Sequence, residues 1–89
     1  MSVVMKDFYA DWCGPCQMMG PVVEQLSADY ADRAKVGKVN VDESPNIAAR
    51  FKVMSIPSFM FFKGGQVVDR IVGGVPGNEL SDRLEKLLK

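Results

Sequence analysis

The order of apolar and polar positions divides the chain into seven short segments. Residues Val3 to Tyr9 read as a strand, with Lys6 on one face beside Val4 and Phe8, and Val3, Met5, Asp7 and Tyr9 on the other. From Pro15 to about Asp32 the spacing becomes helical, and Met18, Met19, Val22, Val23, Leu26 and Tyr30 supply its apolar positions. Pro21 lies inside this helix, where it removes one hydrogen bond and bends the axis. The β-branched stretch Val36 to Val41 predicts a second strand. Ser44 then reads as an N-cap and Pro45 as a first-turn proline, opening a short helix through Phe51. Ser58 to Phe62 and Val67 to Val72 predict two further strands, joined by a tight hairpin at Lys63-Gly64-Gly65-Gln66. Asn78 is the expected cap of a last helix whose Leu80, Leu84, Leu87 and Leu88 form one apolar stripe.

The resulting order, β-α-β-α-β-β-α, describes an α/β fold in one domain over residues 1–89, without repeats or a linker. Two right-handed βαβ crossovers followed by a hairpin predict a mixed sheet with helices on both faces. At 89 residues there is no room for a second domain, and a hydrophobic fraction of 47% is enough for a real core.

Charge narrows the partners. Eleven Lys and Arg balance eleven Asp and Glu, so nothing favours nucleic acid or an anionic membrane surface. No segment is long and apolar enough to span a bilayer. The N-terminal run is too short and too soon charged to read as a signal peptide, and the cytoplasm is the simplest compartment. Histidine is absent, which removes histidine acid/base chemistry, histidine-containing triads and Cys/His zinc sites.

What remains is sulfur. The only two cysteines, Cys13 and Cys16, stand one helical turn apart within Trp12-Cys13-Gly14-Pro15-Cys16. Pro15 suits a first helical turn, which puts Cys13 at a helix N-terminus, where unpaired N–H groups and the macrodipole favour a thiolate. A structural bridge closing so short a loop removes little chain entropy, so the pair reads as exchanging rather than stapling. Two thiolates alone cannot fill a tetrahedral metal site, so no metal and no other cofactor is expected. Asp7 shares its strand face with Val3 and Met5. It reads either as a buried carboxylate with a raised pKa or as a solvated aspartate near a strand end.

Several pieces of the chain occur together in one known family. They are Asp7-Phe8-Tyr9-Ala10-Asp11-Trp12-Cys13-Gly14-Pro15-Cys16, Pro21, Lys38-Val39-Asn40-Val41-Asp42, Ser55-Ile56-Pro57-Ser58, Phe62-Lys63-Gly64-Gly65 and Val72-Gly73-Gly74. In order and spacing, over essentially the whole chain, the sequence resembles thioredoxin. The resemblance implies a four-stranded sheet in the order 2-1-3-4 and a protein dithiol–disulfide oxidoreductase. Cys13 would attack a disulfide of another protein, and Cys16 would resolve the mixed disulfide from a less exposed position. Asp7 would accept the Cys16 proton, with Lys38 near enough to tune it. The Ile56–Pro57 bond would be cis and lie against the cysteines. Trp12, Gly14, Pro15, Ile56, Pro57, Val72, Gly73 and Gly74 would form the apolar surface that receives the substrate. The methionines are expected mostly in the core.

The Gly14-Pro15 pair between the cysteines is the one found in reducing members, so a reductase is expected. Its partners would be disulfide-containing proteins and a separate thioredoxin reductase, since the chain has no nucleotide-binding glycine fingerprint. A monomer is expected. The alternative is a thioredoxin-fold scaffold with incidental redox activity. One departure stands out: thioredoxins ordinarily carry a further strand and helix before the segment matching Val3–Phe8. The resemblance is therefore to a shortened form, with the second strand as an exposed edge and Lys6 facing the side where the additional helix packs.

Overall fold

The computed structural model describes residues 2–89. Its elements are β1 (Val3–Tyr9), α1 (Gly14–Asp29), β2 (Lys35–Asn40), α2 (Pro45–Arg50), β3 (Ser58–Lys63), β4 (Gln66–Val72) and α3 (Gly77–Leu88). The four strands form one mixed sheet in the order β2-β1-β3-β4, the order the resemblance implies.

One part of the predicted topology is different. Only β1 and β2 are joined by a parallel crossover; β3 runs antiparallel to β1, not parallel to it. α2 has only six residues and rises about 9 Å, less than half of the roughly 20 Å of a six-residue strand such as β2, and the segment after it does not run back along the sheet. The chain re-enters the sheet at the C-terminal end of β1, where Phe8 faces Ser58. This brings the start of β3, with Pro57 before it, to the same end of the sheet as the cysteines.

Side chains alternate along β1 as predicted. Val3 and Met5 join Phe59 and Phe61 on one face, packed under Met19, Val23 and Leu26 of α1 and Leu80 and Leu84 of α3. Phe8, Met60 and Phe62 form the core of the other face, covered by Phe51, Val53 and Ile56 from the end of α2 and the loop beyond it. Full burial of each large apolar side chain contributes about 1.5–3 kcal/mol, so the three completely buried phenylalanines, Phe8, Phe59 and Phe61, anchor both layers. Lys6 lies half-buried on the second face, its Nζ 5.1 Å from the Phe62 ring centre and 5.7 Å from that of Phe51. Its stem covers apolar surface while its charge stays over aromatic faces.

Several local expectations shift. The first long helix ends at Asp29, with Tyr30 as its C-cap, and Met18 points outward from its apolar side. Ser44 occupies the N-cap of α2 but forms no side-chain capping bond. The last helix starts at Gly77 after Pro76, so Asn78 lies inside its first turn and does not cap it. The hairpin is as predicted: Gly64 and Gly65 both have positive φ, the conformation a two-residue turn between right-twisted strands requires.

Candidate active site

β1 ends at Tyr9, and Ala10 to Trp12 turn the chain into α1. The turn closes through the Cys13 amide, which donates to the Ala10 carbonyl at 3.2 Å. Cys13 is the N-cap of α1, with extended backbone angles, and Pro15 sits in the first turn. The Cys13 sulfur takes the place that a capping oxygen usually fills: it accepts the Cys16 amide at 3.2 Å. A sulfur held at the open N–H end of a sixteen-residue helix is in a field that favours its anionic form. Cys13 and Cys16 are joined as a disulfide, with Cα atoms 5.2 Å apart.

Exposure does not separate the two sulfurs in this closed form. Cys13 is 5% exposed and Cys16 6%, so the expectation that Cys16 is the less exposed is not met. The difference between them is positional. The N-cap geometry belongs to Cys13, whose sulfur also lies 3.9 Å from the Ile56 carbonyl oxygen. Ala10, Tyr9, Val41 and Ile56 enclose the pair from below.

The Ile56–Pro57 bond is cis, as the resemblance implies. Pro57 is buried, and its carbonyl accepts the Gly73 amide at 2.8 Å. That bond ties the segment after β4 to the proline loop, and Gly73 adopts a φ of +99° that favours glycine. Across from it, the position where a Cβ of Gly74 would stand is 4.0 Å from the Pro15 Cβ. Three separate stretches thus meet at the cysteines: Trp12–Pro15, Ile56–Pro57 and Val72–Gly74. Trp12 is 71% exposed, and Gly14, Pro15, Val72 and Gly74 are exposed as well.

Asp7 lies on the sheet face covered by α1 and α3. Only 1% of it is exposed, and Oδ1 has no hydrogen-bond partner. Burial pushes its pKa from 3.8 up to about 6, and the charge of Lys38 pulls the other way. Lys38 is the register partner of Asp7 on β2, exposed, with its Nζ 4.4 Å from the Tyr9 ring centre. The structure therefore decides for the buried reading of Asp7. Among the described residues no hydrogen bond joins Asp7 to either cysteine. No group of metal-binding side chains occurs among the described residues, and no helix there is long and apolar enough to cross a membrane.

Sequence reasoning missed three contributors. Asp42 accepts the Trp12 indole N–H at 2.8 Å and fixes the ring over the loop. Asn40 shapes that loop, its Oδ1 accepting the amides of Asp42 and Glu43; an Asn at a strand end two residues before an Asp is a readable Asx-turn signal. The third is a pair of methionines. Met5, Met19 and Met60 are core, but Met18 and Met54 are 80% and 92% exposed, and only the fold shows that Met18 shares a groove with Pro15 and Gly74 and Met54 one with Trp12 and Ile56.

The comparisons with known proteins agree with this geometry. The family model described as Thioredoxin matches residues 1–86. A thioredoxin of Synechocystis sp. is 52% identical over 85 residues, covering 96% of this chain and 79% of the relative. One from Chlorobaculum thiosulfatiphilum is 49% identical over the same coverage. Among solved structures, a mutant thioredoxin from Halobacterium salinarum superposes with a TM-score of 0.93 at 41% identity, covering 99% of this chain and 76% of that one. Oxidised mitochondrial thioredoxin 3 of Saccharomyces cerevisiae superposes at 0.88 and 38% identity, covering 97% and 79%.

Proposed function

The chain belongs to the thioredoxin family and is a dithiol–disulfide oxidoreductase, and on that premise we propose how its own residues divide the work. The Cys13 thiolate attacks one sulfur of a substrate disulfide. The substrate S–S bond breaks, one substrate thiolate leaves, and Cys13 is held in a mixed disulfide. Cys16 then gives up its proton and attacks the Cys13 sulfur. That releases the second substrate thiolate and closes the Cys13–Cys16 bond, so two electrons pass to the substrate and two protons follow them. The observation that carries this assignment is the N-cap position of Cys13, whose sulfur accepts the Cys16 amide.

Asp7 is the proton acceptor for Cys16 in this reading. A carboxyl with a pKa of about 6 is ionised at neutral pH yet close enough to neutrality to take a proton. Lys38 is a tuning residue, since its charge favours the ionised carboxylate. Trp12, Gly14, Pro15, Ile56, Pro57, Val72, Gly73 and Gly74 receive the polypeptide flanking the substrate disulfide. Their apolar, partly glycine surface accepts a close backbone approach without demanding one sequence.

Thioredoxins act on disulfide-bearing proteins and are reduced by thioredoxin reductase. We place this chain in the cytoplasm, where a dithiol carrier is kept supplied with electrons. We also read it as a monomer, because both edge strands carry exposed charge, Lys35 and Lys38 on β2 and Arg70 on β4, which disfavours edge-to-edge pairing. The test is reduction of a protein disulfide such as that of insulin with a dithiol donor or thioredoxin reductase. Catalysis lost on replacing both cysteines by serine is the expected result. A wild type that reduces insulin no faster than the double-serine variant would return the scaffold reading.

A further inference from the structure

Two grooves lie beside the loops that carry and flank the cysteines, one against Trp12 and Ile56 and the other against Pro15 and Gly74. One, of about 440 Å³, is lined by Trp12, Val41, Val53, Met54, Ser55 and Ile56. The other, of about 420 Å³, runs past Pro15, Met18, Val22, Gly74 and Val75. Each carries one exposed methionine, and these are the only exposed thioethers among the described residues; Met5, Met19 and Met60 are at most 5% exposed. Neither Met18 nor Met54 belongs to a core cluster. Such flexible, polarisable side chains suit a surface that must fit varied apolar partners. Their exposure also leaves the sulfurs open to attack, while the core sulfurs are shielded.

We propose that Met18 and Met54 are modification sites that make the docking surface oxidation-sensitive: a peroxide converts their thioethers to sulfoxides and weakens capture of protein disulfides, leaving the Cys13–Cys16 couple intact. In each event a thioether lone pair attacks one peroxide oxygen. The O–O bond breaks, an S–O bond forms, and the other oxygen leaves as water, so methionine is oxidised by two electrons and peroxide reduced by two. The closed form is the vulnerable one, because both cysteine sulfurs are then bonded to each other and offer no thiolate. A sulfoxide set in an apolar groove must lose its water when a polypeptide covers it, and an apolar partner returns no hydrogen bond. This inference rests on the reading that the surface of Trp12, Pro15, Ile56 and Gly74, which these grooves continue, receives substrate.

The experiment treats the closed protein with hydrogen peroxide and locates added oxygen by peptide mass mapping. Turnover is then measured with a protein disulfide and with a small aromatic disulfide that does not fill the grooves. Oxygen should appear at Met18 and Met54 before Met5, Met19 or Met60. KM for the protein disulfide should rise roughly 3- to 10-fold, with the small-disulfide rate unchanged. The M18L/M54L variant keeps apolar bulk without an oxidisable sulfur; scored against its own untreated activity, it should keep its KM after peroxide. Unchanged KM in protein oxidised at both positions would overturn the inference, and so would an equal loss in the M18L/M54L variant. If untreated protein reduced no protein disulfide, the functional reading beneath the inference would fall and the inference with it.

Discussion

Replacing Asp7 with Asn removes the one buried carboxylate among the described residues while keeping its volume, and its effect on stability follows from the displaced pKa. An acid whose pKa is 3.8 when unfolded and about 6 when folded binds its proton more tightly in the native state. Between those values the native state holds more protons than the unfolded chain, so stability falls as pH rises. The stabilised condition lies at low pH, and the loss is complete above about pH 7. The displacement corresponds, at about 1.4 kcal/mol per pH unit, to about 3 kcal/mol. Asparagine carries no charge at any pH, so whatever its amide costs when buried is constant. Urea unfolding of the closed form, followed by far-UV circular dichroism, should show the wild type losing about 3 kcal/mol relative to Asp7→Asn between about pH 3.5 and 7.5. Resolution of the mixed disulfide should meanwhile slow in the variant, by up to about 10²-fold for a lost general base. Parallel stability profiles for the two proteins would refute the reasoning, because they would mean that Asp7 is solvated.

Lys38→Met removes the charge that opposes the burial effect on Asp7, so the pH midpoint assigned to Asp7 should move above about 6 in a carboxyl titration followed by NMR. A midpoint that stays or falls would separate the two residues. Leu84→Ala, at a fully buried position between α3 and the sheet, should lower stability by about 2–5 kcal/mol in the same urea assay. In the reduced protein, alkylation near neutral pH should label Cys13 before Cys16, since the helix N-terminus favours its thiolate; the opposite order would reverse their roles.

Where a signal was local, the sequence was enough. Alternation along Val3–Tyr9 placed Lys6 and Phe8 opposite Met5 and Asp7, and the Gly64-Gly65 turn and the Pro15 helix start needed no tertiary information. Direction within the sheet was less legible. Strand order comes from resemblance, while the antiparallel entry of β3 depends on where the segment after α2 delivers the chain, which local signals of two successive crossovers do not report. Burial was harder still. Met18 has the spacing of a core residue yet faces solvent, and Cys16 is no more hidden than Cys13. Asp7 could not be assigned to core or solvent until α1 and α3 were seen to cover its face. The Trp12–Asp42 hydrogen bond joins residues thirty apart, and no periodicity reports such a contact.

The division of labour between the two sulfurs is tested most directly by trapping the mixed disulfide. Cys16→Ser and Cys13→Ser proteins, each reduced and incubated with a disulfide-bearing protein, are run on a non-reducing gel and the adducts mapped by mass. The N-cap geometry predicts a stable adduct through Cys13 in Cys16→Ser and none in Cys13→Ser. An adduct that forms through Cys16 in Cys13→Ser, with Cys16→Ser unreactive, would contradict it.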